Sequence, residues 1–201
     1  MKAPWLVPLA AVAVATACSH HPLDDYPSYV ANHQNKLSLP ALHHAVTYSV
    51  SPQVDVARKT TSSGLMHSYY VELGTVLQAT MASPDVQRAF DSVAVGPAGN
   101  GLHIDFDVRT YDFDRFRALI DMTVSSSLGN RVILTKAYRA EGENMGAKII
   151  VVGDLAVPSA IRESTKDAMD RIMPQVIADL QAALRGAQAS EARRSPLALG
   201  R

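Results

Sequence analysis

The side chains that could do chemistry in this 201-residue chain are few. They are one cysteine, Cys18; the histidines His20-His21, His33 and His43-His44; the carboxylates Asp105, Asp107, Asp112 and Asp114; and short serine runs. A single thiol closes no intramolecular disulfide and offers neither CxxC redox chemistry nor a thiolate zinc cage. The aspartates could offer oxygens to a hard cation, but Asp105 and Asp107 alternate with apolar residues, and no turn glycine and closing glutamate make a calcium loop. They read as the solvated face of a sheet. Adjacent histidines on an extended chain point apart, so the pairs are poor ligands for zinc or copper and read as part of a polar tether. His67 and His103 have no evident partner and read as surface or core-edge residues. Neither "TSSGL" nor "SSSLG" supplies a GxSxG nucleophile elbow, and there is no phosphate loop, dinucleotide fingerprint or HExxH. The expectation is a non-enzyme with no cofactor and no metal site.

Cys18 is explained by what precedes it. "MKAPWLVPLAAVAVATA" has one charge, Lys2, and then no charged residue from Ala3 to Ala17, the layout of a signal peptide over residues 1–17. At fifteen residues it is shorter than the roughly 20 that a helix needs to span a bilayer core. "ATA" before Cys18 satisfies the A-x-A rule of ordinary signal peptidase, which would release a soluble chain. "ATAC" also resembles the bacterial lipobox, with Thr16, Ala17 and Cys18 matching and Ala15 departing from the usual Leu, Val or Ile. A free thiol at a new N-terminus would be an exposed reactive group, which favours the lipoprotein reading. That resemblance implies a Cys18 carrying diacylglycerol and an N-linked chain such as palmitate. Two or more acyl chains anchor stably, at about 0.8 kcal/mol per buried methylene. By resemblance to the enteric sorting rule, Ser19 in place of Asp implies the periplasmic face of the outer membrane.

The mature chain is long enough for one domain with a proper core. Its 19 basic and 19 acidic residues balance, so no concentrated basic footprint points to nucleic acid. Residues 18–44, with prolines at 22, 27 and 40, read as a flexible tether, residues 45–185 as a single domain, and residues 186–201 as a disordered tail. Within the domain, "AVTYSV" alternates as a strand. "SSGLMHSYYVELGTVLQATMASP" places Met66, Tyr69, Tyr70, Leu73, Val76, Leu77 and Met81 at helical spacing before Pro84. "FDSVAV" reads as a second strand. "LHIDFDVR", "FRALIDMTVSSS" and "RVILTKAYRAEG" then predict three strands in an antiparallel meander. Ile149 to Val152 fits a short strand or a buried loop. A long amphipathic helix carries Ala168, Met169, Ile172, Met173, Val176, Ile177, Leu180 and Leu184, with Pro174 expected to kink it or start a new segment. The order β-α-β-β-β-β-α predicts an α+β fold: a largely antiparallel sheet of four to five strands packed on two long helices.

The run "LHIDFDVRTYDFDRFRALIDMTVSSSLGNRVILTKAYRAEG", with a helix before it and a long helix after it, resembles small proteobacterial lipoproteins of the YajG type and ABC-transport auxiliary lipoproteins of the PqiC type. The shared features are the "GN" hairpin and the aromatic-x-x-Glu-Gly ending, here Tyr138 to Gly142, while "AKIIVVGDLAV" is a departure. The resemblance implies a non-catalytic periplasmic accessory or binding component of an envelope assembly, with lipid transport the associated pathway. Its partners would be the bilayer, through acylated Cys18, and envelope transport or assembly proteins. One rival is a carrier whose helices open to hold a lipid against Met66, Met81, Met169 and Met173. The other is an envelope hydrolase. Edge strands leave self-association open.

Overall fold

Alternation of apolar and polar residues builds the longest strands of the computed structural model, which describes residues 25–34, 37–51, 58–63 and 67–194. The first half of the chain contributes α1 (Tyr26–Asn32), β1 (Ala45–Val50), β2 (Arg58–Ser63), β3 (His67–Glu72), α2 (Leu73–Met81), α3 (Pro84–Gln87) and β4 (Ser92–Val95). There follow β5 (Leu102–Asp114), β6 (Arg117–Leu128), β7 (Arg131–Glu141), α4 (Gly146–Val152), a 3-10 turn (Gly153–Ala156) and α5 (Val157–Arg194). The expected α+β architecture is present. A five-stranded sheet runs in the order β4-β1-β5-β6-β7, with β2 and β3 as a separate hairpin. The long β5-β6 and β6-β7 pairings are the antiparallel meander, and the two short pairings of β1, to β4 and β5, are parallel.

One face of the sheet is apolar and carries α5. Val46, Tyr48, Leu102, Ile104, Phe106, Ile120, Met122 and Val124 are buried there against Met169, Ile172, Met173, Val176, Ile177 and Leu180. A bulge at Arg109 shifts the register between Val108 and Thr110. Even-numbered residues face the core before it, and Tyr111, an odd-numbered one, is buried after it. The shift keeps Asp112 and Asp114 exposed together with Asp105 and Asp107, so the solvated face expected from sequence runs the length of the strand. α5 is 38 residues long, about 57 Å at 1.5 Å per residue. It runs as one helix through Pro174, where sequence alone suggested a kink or a new segment. The flanking Ile172, Met173, Val176 and Ile177 are at most 1 % exposed, and their packing offsets the roughly 3 kcal/mol that an interior proline costs.

Polar contacts fix how α5 lies on β7. Lys136 Nζ is 2.7 Å from Asp179 Oδ2, and the Tyr138 hydroxyl donates to the same oxygen at 2.9 Å. The Lys136 ammonium, with help from Tyr138 and against the effect of burial, holds the Asp179 carboxyl below its usual range. A depressed folded value means that the contribution is present above the ordinary carboxylate pKa and is lost as pH falls through the folded one. In urea melts, Asp179→Asn is therefore expected to be less stable than the parent at pH 7, with the gap closing as the pH drops below about 4. A gap independent of pH would show that the carboxylate charge is not what matters.

Four local readings change in the folded chain. The helix expected over Met66 to Met81 is a strand followed by a helix: Tyr69 and Val71 are buried with period two, β3 pairs antiparallel with β2, and the 3.6-residue period starts only at Leu73. Ile149 to Val152 belong to a helix, not to a strand or a buried loop. The stretch expected as a flexible tether contains α1, whose Tyr26 and Val30 are 0 % and 5 % exposed. Residues 186–194 of the expected tail continue α5.

Candidate functional site

Cys18, the one site residue singled out by sequence, lies outside the described residues, as do His20 and His21. The described chain begins at Asp25, seven residues on, and it is clamped from there. The Asp25 carboxylate pairs with the Arg162 guanidinium of α5. That guanidinium lies 4.6 Å from the Tyr29 ring centroid, and the His33 ring stacks on Tyr29 at 4.1 Å. Asp25 is 61 % exposed, so the ion pair contributes at most about 1 kcal/mol. The burial of Tyr26 and Val30 does more to hold α1 in place.

Between α1 and the first half of α5 lies a hollow of about 200 Å³ lined by Tyr29, His33, Glu143, Glu163, Lys166 and Asp170. Two of these carboxylates are paired. Lys166, only 6 % exposed, reaches Asp170 at 2.5 Å, and Lys148 of α4 reaches Glu163 at 2.5 Å. Burial, with Glu163 nearby, pushes the Tyr29 phenol above its usual range. Paired in this way, the hollow offers hydrogen-bonding groups of both signs to a polar partner. Among the described residues no group of His, Cys, Asp and Glu is arranged to hold a metal ion.

The solvated sheet face brings together residues that sequence kept apart. His103, expected as a surface or core-edge residue, is 1 % exposed and sits in register between Thr47 of β1 and Ser127 of β6. Its Nδ1 is 2.8 Å from Thr47 Oγ1, while its Nε2 faces both Ser49 Oγ at 3.3 Å and Asp105 Oδ1 at 3.1 Å. Ser49 also donates to Asp105, and Ser51 donates to Asp107 at 3.4 Å. A hydrolytic relay sets serine and carboxylate on opposite ring nitrogens. Here the Thr47 hydroxyl takes Nδ1, the Asp105 carboxylate takes Nε2 together with the Ser49 hydroxyl, and the network ties β1 to β5. Pairing across the sheet carried these contacts, and the one signal in the sequence was a histidine among aspartates on an alternating strand.

The methionines weighed as a lipid pocket are core. Met81, Met169 and Met173 are at most 1 % exposed, and Met66 lies outside the described residues. A cavity that Met173 lines with Val30, Thr80 and Lys166 holds about 10 Å³, room for a single water.

No family model matches the chain, and no curated protein matches it. Among solved structures it is similar to the crystal structure of protein XCC0632 from Xanthomonas campestris, described under the family model DUF330. The two are 14% identical, the match covers 74% of this chain and 92% of that chain, and the TM-score is 0.47.

Proposed function

We propose that this chain is a lipid-anchored, non-catalytic accessory of the bacterial cell envelope, held through acylated Cys18 on the periplasmic face of the outer membrane. The observation that carries the reading is the placement of the only cysteine, after "AVATA" at the end of a run without charged residues from Ala3 to Ala17, and seven residues before Asp25, which pairs with Arg162 of α5. Seven residues reach at most about 25 Å, which supports a body held beside the bilayer. The polar hollow and the serine- and aspartate-rich sheet face supply docking surfaces for a protein partner. The resemblance to PqiC-type lipoproteins favours an envelope transport assembly, with lipid as its cargo.

The test is the mass of the mature N-terminal peptide together with fractionation of Cys18→Ser. The expected results are diacylglycerol and acyl mass on Cys18, and a membrane-bound fraction that falls roughly 100-fold in the variant, because the chains supply most of the partition energy. An unmodified peptide, or a variant that stays with the membrane, overturns the anchor. Crosslinking in native membranes then names the assembly. Recovery of a permease or of a membrane-spanning transfer subunit supports the transport role, and recovery of the chain alone removes it.

A further inference from the structure

Among the described residues, four of the exposed large apolar side chains lie together where the sequence departed from the families it resembles. Ile150, Val151 and Val152 of α4 are 78 %, 84 % and 54 % exposed, and Leu155 in the following 3-10 turn is 90 % exposed. Single exposed aliphatics are ordinary, but four within six residues form a patch that calls for an occupant. Gly153, with φ of 77°, lets the chain turn between the two short helices so that both present their apolar residues at one corner. The β5-β6 hairpin tip joins that corner. Phe116 is 42 % exposed, its carbonyl accepts from the Met145 amide at 2.8 Å, and its ring lies against Gly146.

The position of Asp25 on the body, seven residues from Cys18, points to the occupant. Consecutive residues of α5 hold the two parts together: Arg162 pairs with Asp25, and Glu163 pairs with Lys148 of α4. The start of the described chain and the apolar corner therefore sit at the same end of α5. Seven residues from Cys18 to Asp25 span at most about 25 Å, whereas the far end of α5 lies about 48 Å beyond Arg162. A lipid on Cys18 keeps this end of the molecule near the bilayer and leaves the other end free. Arg115, 88 % exposed beside Phe116, pairs with the exposed Asp114 carboxylate at 3.6 Å, so the rim of this corner carries charges of both signs at the level where zwitterionic headgroups would lie.

We propose that this corner, Phe116 with Ile150, Val151, Val152 and Leu155, inserts into the surface of the phospholipid bilayer that holds the acyl chains of Cys18. The orientation rests on the anchor reading above. The insertion gives the tethered body a fixed attitude, with the far half of α5 and the meander's Leu128–Arg131 hairpin directed away from the membrane.

Acylation would consume the only native thiol, so Val151→Cys in the full-length protein gives a unique labelling site. The test attaches an environment-sensitive fluorophore there and reconstitutes the protein in phosphatidylethanolamine and phosphatidylglycerol vesicles with a lipid-borne quencher. Val132→Cys, at a position 66 % exposed on the distal hairpin, is the control. Expected are an emission rise of about threefold and strong quenching at 151, with neither at 132. A label at 151 as water-exposed as the one at 132, on protein whose N-terminal peptide carries acyl mass, overturns the insertion while leaving the anchor intact. If acyl mass is absent the anchor fails, and Val151→Cys in a Cys18→Ser background, titrated with the same vesicles, decides the insertion alone: a rise supports it and no rise overturns it. A rise that follows protein concentration without vesicles makes the occupant a second copy, and this too overturns the proposal.

Discussion

Gly142→Ala is expected to lower the thermal midpoint by about 10 to 20 °C, a large effect for one methyl group. A Cβ at this position would lie 2.7 Å from the Ser164 carbonyl carbon, and closer still to the carbonyl oxygen and the hydroxyl. The obstacle is helix backbone, which no rotamer change removes. Ser164 is wholly buried, and its hydroxyl accepts from the Ala118 amide at 2.8 Å and donates to the Glu143 carbonyl at 2.8 Å. Gly142 in turn donates its amide to the Ala118 carbonyl at 2.8 Å. A methyl group would force α5 away from the ends of β6 and β7 and break this exchange. Overpacking costs about 1 to 3 kcal/mol, and each buried polar group left unpaired costs a similar amount, so roughly 3 to 6 kcal/mol is expected in total. Ser164→Ala, which removes the hydroxyl without adding bulk, is the comparison and should cost about 2 kcal/mol. A thermal melt of Gly142→Ala within a few degrees of the parent would show that the helix does not approach the strand this closely. The glycine that ends the aromatic-x-x-Glu-Gly signature thus has a steric reason.

The second large effect is expected at Tyr26. Tyr26→Ala should destabilise the protein by about 3 to 5 kcal/mol, the range for truncating a buried aromatic. It should also make the chain between α1 and β1 cleavable by a protease at concentrations that leave the parent intact. A seven-residue helix has no stability of its own in water, so α1 stays in place only through what it buries, chiefly Tyr26 and Val30. Asp25→Asn, which removes the exposed pair with Arg162, should cost under about 1 kcal/mol. If the two variants proved equally mild, α1 would be an appendage that the body does not hold. The functional consequence follows from length. Under the proposed anchor at Cys18, a released α1 would put the whole segment up to β1 between lipid and body, and the body would no longer be held at a fixed distance from the bilayer.

The parts of this fold legible in sequence are those whose periodicity repeats over many residues. β5, β6 and β7 run for 13, 12 and 11 residues, with buried and exposed positions alternating throughout β6, on both sides of the bulge in β5 and at the end of β7, and the buried stripe of α5 recurs over many turns. Even the bulge at Arg109 leaves a trace, because the exposed aspartates change from odd to even positions across it. Shorter elements were misread because two periods fit them. Tyr69 and Tyr70 satisfy a helix as well as a strand until the pairing with β2 selects the strand. α1 has only two buried residues, too few to show any period among the prolines around it. Ile149 to Val152 looked like interior because they are apolar, and hydrophobicity alone does not say whether the partner surface belongs to the same molecule.

The sequence by itself determined what is local: the run without charged residues from Ala3 to Ala17 before Cys18, the strand meander, the long helix and the solvated carboxylate face. Each is encoded by neighbours within a few residues, through charge, side-chain size or a repeat of 2 or 3.6. Tertiary structure decided what depends on partners far along the chain. It gave His103 its hydroxyl neighbours on β1, pressed Gly142 against Ser164, drew α1 into the core, and left Ile150, Val151, Val152 and Leu155 in solvent at the end of α5 where Asp25 pairs with Arg162. The physical reason is that burial and hydrogen bonding are properties of pairs, and the second member of each of these pairs, or the room it leaves empty, is set only when strands and helices close on one another.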